Sequence, residues 1–188
     1  MDKREQILEV ATRLFSERGF EKTSVSAICE AAKVSNGLVF HHFKNKNELL
    51  REIFKKTTNI IVEINDSVQK EISPKERLIE LIDGAFKQMV EDKLFFQLYL
   101  NVMLQPTTKA ILNDLIKEKY AFLLDNAHKI LSEYSEHATI VDSFMFVSDL
   151  DGIAINYIYS FDDYPLDLVK QKFIKRYTYD LGDINQKI

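Results

Sequence analysis

Apolar residues recur along this chain with the period of an α-helix. In the first segment, five of them fall on one face at the spacing i, i+1, i+4, i+7 and i+8: Ile7, Leu8, Ala11, Leu14 and Phe15. Similar stripes follow along the rest of the chain. Five Gly and three Pro are too few for the frequent turns of an all-β protein. The pattern predicts an all-α fold of about nine helices.

Capping residues indicate where several of these helices begin. Asn45, followed by a Glu three residues later, predicts the start of a long fourth helix over about residues 45–70. Ser73, followed by Pro74 and Glu76, predicts the start of the fifth helix. The other helices are expected over about residues 3–18, 23–32 with Thr23 as N-cap, 35–43, 93–105, 108–134, 138–161 and 165–182.

Residues 23–46 contain two short helical patterns separated by about three residues, and the second pattern is polar and contains glycine. This layout is typical of a helix-turn-helix, which places its second helix in the major groove of DNA. Cys29 is expected to pack where the two helices cross, because the chain has no second Cys as a redox partner. Five apolar side chains should join the helices: Ile28, Ala32, Val34, Val39 and Phe43.

The third helix and its surroundings carry side chains that suit DNA. Asn36 is a candidate for a base hydrogen bond and Leu38 for contact with a thymine methyl group, while Gly37 would allow close approach of the backbone. Ser35 should cap this helix, and the other hydroxyl, imidazole and ammonium groups suit phosphates. The candidate DNA-binding residues are Thr23, Ser24, Ser26, Ser35, Asn36, Gly37, Leu38, His41, His42, Lys44 and Lys46.

The distribution of charge agrees with a DNA-binding N-terminal segment. The chain has a net charge of −4, which by itself argues against nucleic acid. Residues 1–56, however, hold 11 Lys or Arg and 8 Asp or Glu, a net charge of +3, and the remaining residues carry −7. Because local charge governs phosphate affinity, the basic segment favours DNA and the acidic remainder does not oppose it.

The pattern resembles the tetracycline-repressor (TetR) family of regulators. The resemblance rests on Thr23, Ile28, Ala31, Val34, Ser35, Gly37, Phe40, Phe43, Lys46 and Leu49, and on Ile7, Ala11, Phe15, Gly19 and Phe20 of the first helix. It implies a three-helix DNA-binding domain over residues 1–46. It also implies a larger helical domain for ligand binding and dimerisation over residues 47–188, joined by the long helix over about 45–70.

Three positions depart from the family pattern. Lys33 stands where the family usually has Gly in the turn, and a left-handed Lys costs about 1 kcal/mol or more. Phe40 replaces a usual Tyr, so the phenol-to-phosphate hydrogen bond that the family implies is absent. Asn36 occupies a position where a basic residue is common. These departures concern the contact with phosphates rather than the fold.

The second domain carries aromatic and Met-rich helix faces with a few polar residues among them. The resemblance implies a pocket between helices for a small apolar ligand, although core packing is the alternative for any one of these residues. Asp149 would meet a cationic or hydroxyl group of the ligand. The candidate pocket residues are Phe86, Met89, Phe96, Tyr99, Asn101, Met103, Phe122, His128, Phe146 and Asp149.

Two further stripes lie on the last two long helices. The resemblance implies that they form a four-helix interface between two copies, and packing within one chain is the alternative. Such a dimer would bind a near-palindromic operator. The candidate interface residues are Leu150, Ile153, Ala154, Tyr157, Ile158, Leu168, Phe173, Ile174 and Tyr177.

The sequence therefore predicts a homodimeric repressor that a small apolar effector releases from double-stranded DNA. An activator, or a DNA-binding protein without a ligand, is the alternative, and a helical interaction module or an enzyme is a remote one. No enzyme is expected because Gly-rich phosphate loops, H-E-x-x-H and nucleophile elbows are absent from the sequence. We expect no cofactor, metal site or membrane span, and the single Cys favours a cytoplasmic protein.

Overall fold

The computed structural model describes residues 2–67 and 72–180, and in this part of the chain all regular structure is helical. The prediction of an all-α fold of about nine helices is confirmed. Short π-helical segments, Asn156–Ser160 and Arg176–Asp180, follow the last two α-helices. The α-helices are α1 Lys3–Arg18, α2 Val25–Ala32, α3 Asn36–His42, α4 Lys46–Ser67, α5 Pro74–Glu91, α6 Lys93–Leu104, α7 Pro106–Tyr134, α8 Ile140–Ile155 and α9 Leu166–Lys175.

The helix starts confirm some of the capping signals and correct others. Asn45 caps α4 by accepting from the Glu48 N–H at 2.9 Å, as predicted. Helix α8 begins at Ile140, two residues after the approximate start predicted near residue 138, and Thr139 and Asp142 form a capping box there. The predicted residues 68–70 of the fourth helix and 181–182 of the last helix lie outside the described residues.

The first compact unit comprises residues up to 59 together with 92–117. Its core is formed by fully buried apolar side chains of α1, α2, α3 and the first turns of α4, such as Phe15, Phe43 and Leu49. Helix α6 packs on α1, where the Ser16 hydroxyl donates to the Leu94 carbonyl at 2.8 Å. The predicted DNA-binding helices therefore share one core with α6.

Ionic contacts fix the first turns of α4 inside this unit. The guanidinium of Arg51 donates through both terminal nitrogens to the Asp114 carboxylate, at 2.7 and 2.6 Å, and also to the Ile111 carbonyl at 2.7 Å. Arg4 of α1 pairs with the neighbouring Glu52. Because a two-pronged guanidinium–carboxylate pair fixes direction as well as distance, α4 is oriented against both α1 and α7.

The second compact unit comprises residues 60–91 and those from 118 onwards. Its core centres on aromatic rings, with Phe146 lying 5.3 Å from Phe173 and 4.8 Å from Tyr177 between ring centroids. Phe86 of α5 packs against Phe173 at 5.8 Å. Such pairs add to the hydrophobic burial, and Leu78, Ile82 and Leu131 complete the cluster.

The sequence predicts a DNA-binding domain over residues 1–46 and a ligand-binding and dimerisation domain over residues 47–188, and this division stays a prediction. The compact units follow packing instead, since the first unit contains the start of α4, all of α6 and the start of α7.

The Arg51–Asp114 contact gives a prediction about the pKa of the Asp114 carboxyl group and about stability at low pH. The guanidinium of Arg51 holds the pKa of the Asp114 carboxyl well below its usual range. A depressed folded-state pKa stabilises the protein above the unfolded pKa, and this contribution is lost as the pH falls through the folded value. We expect Arg51→Met to raise the pKa of Asp114 towards the ordinary range of an aspartate. The ¹³C chemical shift of the carboxyl carbon, followed against pH, measures this.

Lys55→Met is the matched control, since Lys55 is one helical turn away and pairs with Glu52 instead of Asp114. It should leave the titration of Asp114 unchanged. An ordinary pKa for Asp114 in the unaltered protein would contradict the described contact.

Candidate DNA-binding site

Helices α2 and α3 form a helix-turn-helix with three residues between them. Ile28 and Ala32 of α2 and Val39 of α3 are buried, as is Phe43 just after α3. The side-chain amide of Gln6 on α1 donates to the carbonyl of Ala32 at 3.1 Å and so satisfies the end of α2. The predicted packing of the two helices is confirmed.

The turn between α2 and α3 has a left-handed residue at its first position. Lys33 has φ 51° and ψ 50°, and its N–H donates to the carbonyls of Cys29 and Glu30. The N–H of Val34 also donates to the Cys29 carbonyl, at 3.0 Å. This arrangement ends α2 in the manner of a glycine cap, at a cost of about 1–2 kcal/mol for a residue with a side chain.

The start of α2 differs from the sequence prediction by one residue. Ser24 is the N-cap, and its hydroxyl accepts from the Ala27 N–H at 3.1 Å. Thr23 is 1% exposed and its hydroxyl lies within hydrogen-bond distance of the Leu14 and Gly19 carbonyls, so it anchors the preceding loop inside the protein. Of the three predicted hydroxyl residues at this end of α2, Ser24 and Ser26 are exposed.

The start of α3 exposes the residues expected to face the bases. Ser35 caps the helix by accepting from the Leu38 N–H at 3.2 Å, as predicted. Asn36 and Gly37 are exposed and Leu38 is half-buried. A Cβ at Gly37 would meet the Ser35 hydroxyl oxygen at 3.9 Å, an ordinary contact. The chain's own packing therefore does not require glycine there.

Asn36 has a partner that the sequence analysis did not assign. The Cys29 thiol, on the buried side of α2, donates to the Asn36 Oδ1 at 2.9 Å. Burial raises the pKa of this thiol, which keeps it protonated and a donor. In the sequence, Cys29 and Asn36 are seven residues apart on either side of a three-residue turn. This spacing alone does not predict that their side chains touch.

The basic groups of the segment differ in exposure. Lys44 and His41 are exposed, and His42 is half-buried with its ring centroid 5.2 Å from that of His41. Lys46 places its ammonium 4.2 Å from the centroid of the Phe20 ring and 3.5 Å from the Glu21 carbonyl oxygen. Partial burial lowers the pKa of Lys46, against the opposing charge of Glu21. Lys46 thus has a packing role within this unit.

A family model described as bacterial regulatory proteins, tetR family, matches residues 7–53, which are α1 to the start of α4. This N-terminal segment of the chain therefore belongs to the tetR family. Over 61 residues, 32% of this chain and 28% of its relative, it is 43% identical to the transcriptional regulator AcrR of Shigella flexneri. Over 86 residues, 45% of this chain and 43% of its relative, it is 31% identical to the transcriptional repressor KstR2 of Mycobacterium tuberculosis.

The likeness of fold extends over nearly the whole chain. A solved structure of the fatty acid degradation regulator FadR from Bacillus halodurans has a TM-score of 0.81 at 20% identity, covering 95% of this chain and 96% of that one. At this identity the likeness shows the fold alone. The chain spans less than half the length of the two curated relatives named above. Both are named as regulators of transcription, in agreement with the expectation that this chain is not an enzyme.

The predicted ligand residues fall into both compact units. Phe96, Tyr99, Asn101 and Met103 belong to the first unit and the remaining six to the second. Asn101 donates to the Ser16 carbonyl at 3.3 Å, and Phe86 and Phe146 lie in the aromatic core. Asp149 lies on the wall of an open cleft of about 390 Å³ between α8 and α9, and also accepts from the Tyr177 hydroxyl at 2.9 Å. The pocket itself stays a prediction.

Three of the predicted interface residues do not lie on an outer face. Ala154, Phe173 and Tyr177 are buried within the second unit, and the interface between copies stays a prediction. Leu168 is 63% exposed, and the other five, Leu150, Ile153, Tyr157, Ile158 and Ile174, are half-buried. An apolar stripe on a helix has the same period whether it faces its own core or a partner, so the sequence pattern alone does not separate the two.

Metal-binding clusters and membrane-spanning helices are two further classes of site that the described residues could contain. Residues 2–67 and 72–180 contain no group of three or more His, Cys, Asp or Glu side chains that could bind a metal ion. No helix within these ranges has the length and apolar character that crossing a membrane requires.

The left-handed turn residue gives a prediction about stability. Lys33→Gly should raise the free energy of unfolding by about 1 kcal/mol, because glycine adopts a positive φ without the steric cost of a Cβ. Urea unfolding measures this. Lys33→Ala removes the charge but keeps the Cβ, so it should show no such gain. A destabilised Lys33→Gly protein would contradict the left-handed conformation.

Proposed function

We propose that this chain is a sequence-specific, DNA-binding regulator of transcription that inserts α3 into the major groove. One observation carries the proposal, which is the orientation of α3. Asn36 and Gly37 in its first turn are exposed, whereas Val39 and Phe43 anchor the helix in the core of the first unit. Helix-turn-helix proteins contact base edges with a helix that is anchored in the core and whose first turn is polar and has small side chains.

Exposed donors on both sides of α3 support binding to the DNA backbone. Ser24 and Ser26 at the start of α2 and Lys44 after α3 are exposed, and His41 is exposed on α3 itself. We assign phosphate contacts to these four residues, and we leave Thr23 and Lys46 out because their polar groups are engaged within the protein. Such contacts supply affinity and register, whereas contacts to base edges supply specificity.

Gly37 supports the same orientation of α3. Glycine within a helix costs up to about 1 kcal/mol relative to Ala. The protein has room for a Cβ at this position, so internal packing does not explain the glycine. A DNA backbone or base edge lying against the first turn of α3 would explain it.

We further propose a repressor that acts as a homodimer on a near-palindromic operator, in the cytoplasm, and that a small apolar effector releases. The name of KstR2 as a repressor and the tetR-family membership support this choice over an activator. If effector and operator favour different conformations, each weakens the binding of the other by the same factor. The effector would contact the second unit, where Asp149 borders the cleft between α8 and α9.

An exposed apolar face on α8 and α9 supports the dimer. Seven large apolar side chains of these helices and the π-helical segment after α8 are at least 42% exposed: Ile140, Val141, Phe144, Met145, Ile155, Tyr159 and Leu168. Exposed apolar groups clustered on two neighbouring elements are typical of an interaction surface. A second copy related by a two-fold axis would cover them with the same residues of its own.

The DNA proposal predicts different effects for Asn36 and Lys44. Asn36→Ala should reduce discrimination by about 1–3 kcal/mol at one base pair of each half-site. Lys44→Ala should weaken binding to all sequences by the same factor and reduce the slope of log affinity against log salt by about one. Fluorescence anisotropy with the operator, each single-base variant and a non-specific duplex measures both effects.

The operator for this experiment is selected by the unaltered protein from a random duplex library. Lys75→Ala is the control for loss of a positive charge, because Lys75 lies on α5 in the other compact unit and should not affect DNA. Equal effects of Asn36→Ala and Lys44→Ala on every sequence would overturn the assigned roles. Failure to select any sequence would overturn the proposed function.

The dimer proposal predicts the effect of charge on the exposed face. Phe144→Glu or Leu168→Glu should shift the protein from dimer towards monomer at micromolar concentration, because each would bury a charge against apolar side chains. Sedimentation velocity measures this. Val90→Glu is the control, since Val90 is 55% exposed on α5, a helix that contributes no residue to this face. An unaltered protein that sediments as a monomer would exclude the dimer.

A further inference from the structure

The Cys29–Asn36 contact joins the interior of the helix-turn-helix to its DNA-facing surface. Cys29 lies on the buried face of α2 and is 6% exposed, whereas Asn36 is the exposed first residue of α3. The thiol donates to the Asn36 Oδ1 at 2.9 Å. It is therefore a contact between a fixed internal donor and a side chain that faces solvent.

The position of the thiol is well determined by its surroundings. The backbone carbonyl of Cys29 accepts from the N–H groups of Lys33 and Val34, which fixes the residue at the last turn of α2. The neighbouring Ile28 and Ala32 have no exposed surface. The Asn36 side chain, by contrast, is free to rotate about two torsions unless a partner fixes it.

We infer that Cys29 is a positioning residue for base recognition: its thiol fixes the Asn36 amide with Oδ1 towards the protein and the Nδ2 amino group towards DNA. The inference rests on the proposed function. An Asn amide has one acceptor oxygen and a donor NH₂ group, and recognition of adenine uses both of them together. With Oδ1 engaged from inside, Asn36 presents its donor, which suits a base acceptor such as guanine N7 or O6, adenine N7 or thymine O4.

The test compares two substitutions at Cys29. Cys29→Ala removes the donor and keeps a small side chain, whereas Cys29→Ser keeps a donor at the same position. Each is assayed against the selected operator and every single-base variant of it. We expect Cys29→Ala to reduce the preference on the order of tenfold at the base pair that Asn36→Ala affects, with other positions and the salt slope unchanged. Cys29→Ser should retain most of that preference.

A double-mutant cycle separates positioning from general damage. In the Asn36→Ala background, Cys29→Ala should cause no further loss of specificity, since the amide it positions is gone. Losses spread over all base pairs, or an additional loss in that background, would overturn the inference. So would an unchanged preference in Cys29→Ala.

A measurement without DNA distinguishes this inference from the proposed function. In ¹⁵N NMR spectra of the free protein, the Asn36 side-chain amide should shift in Cys29→Ala towards the averaged position of an unrestrained amide, and less so in Cys29→Ser. No shift would overturn the contact even if DNA binding is demonstrated. If the protein selects no DNA sequence, the proposed function fails and the spectra still decide the contact. If Cys29→Ala does not fold, Cys29→Ser and Cys29→Val replace the comparison.

Discussion

The close approach of α2 and α3 is the constraint on which the candidate DNA-binding site depends. Three residues connect the helices, so the chain must reverse within a turn that includes one positive φ, and Lys33 adopts it. The steric cost of about 1–2 kcal/mol is smaller than the gain from packing the helices, because burial of one Ile or Val side chain contributes about 1.5–3 kcal/mol. Ile28 and Val39 are both buried here, so the gain from packing them outweighs the steric cost of the left-handed conformation at Lys33.

The same approach determines what lies on the outer surface. Cys29 is buried on α2, and its thiol lies 2.9 Å from the Oδ1 of Asn36 on α3. The chemistry that α3 presents to solvent thus depends on a side chain within the core. The exposed surface and the packing beneath it cannot be treated as independent parts of this molecule.

Particular residues show how far the sequence could predict this molecule. The stripe from Ile7 to Phe15 and the caps at Ser35, Asn45 and Ser73 predicted helices that the structure contains, because period and capping are local properties. Thr23 was mistaken for the cap because Thr and Ser are chemically equivalent in that role, and only burial separates them. The contacts of Tyr177 with the aromatic core and of Lys46 with Phe20 could not be predicted, because their partners are distant in sequence and are identified only in three dimensions.

The paired contacts at the start of α4 restrict how this helix can move. Arg51 and Glu52 are adjacent, so their side chains leave the helix about 100° apart and contact different elements, α7 and α1. Rotation of α4 about its axis would break both contacts at once. A small tilt that carries α1 and the start of α7 with it would break neither. The beginning of α4 therefore moves together with α1 and the start of α7 and does not act as a hinge. A bend in this helix that keeps both contacts has to lie after Glu52.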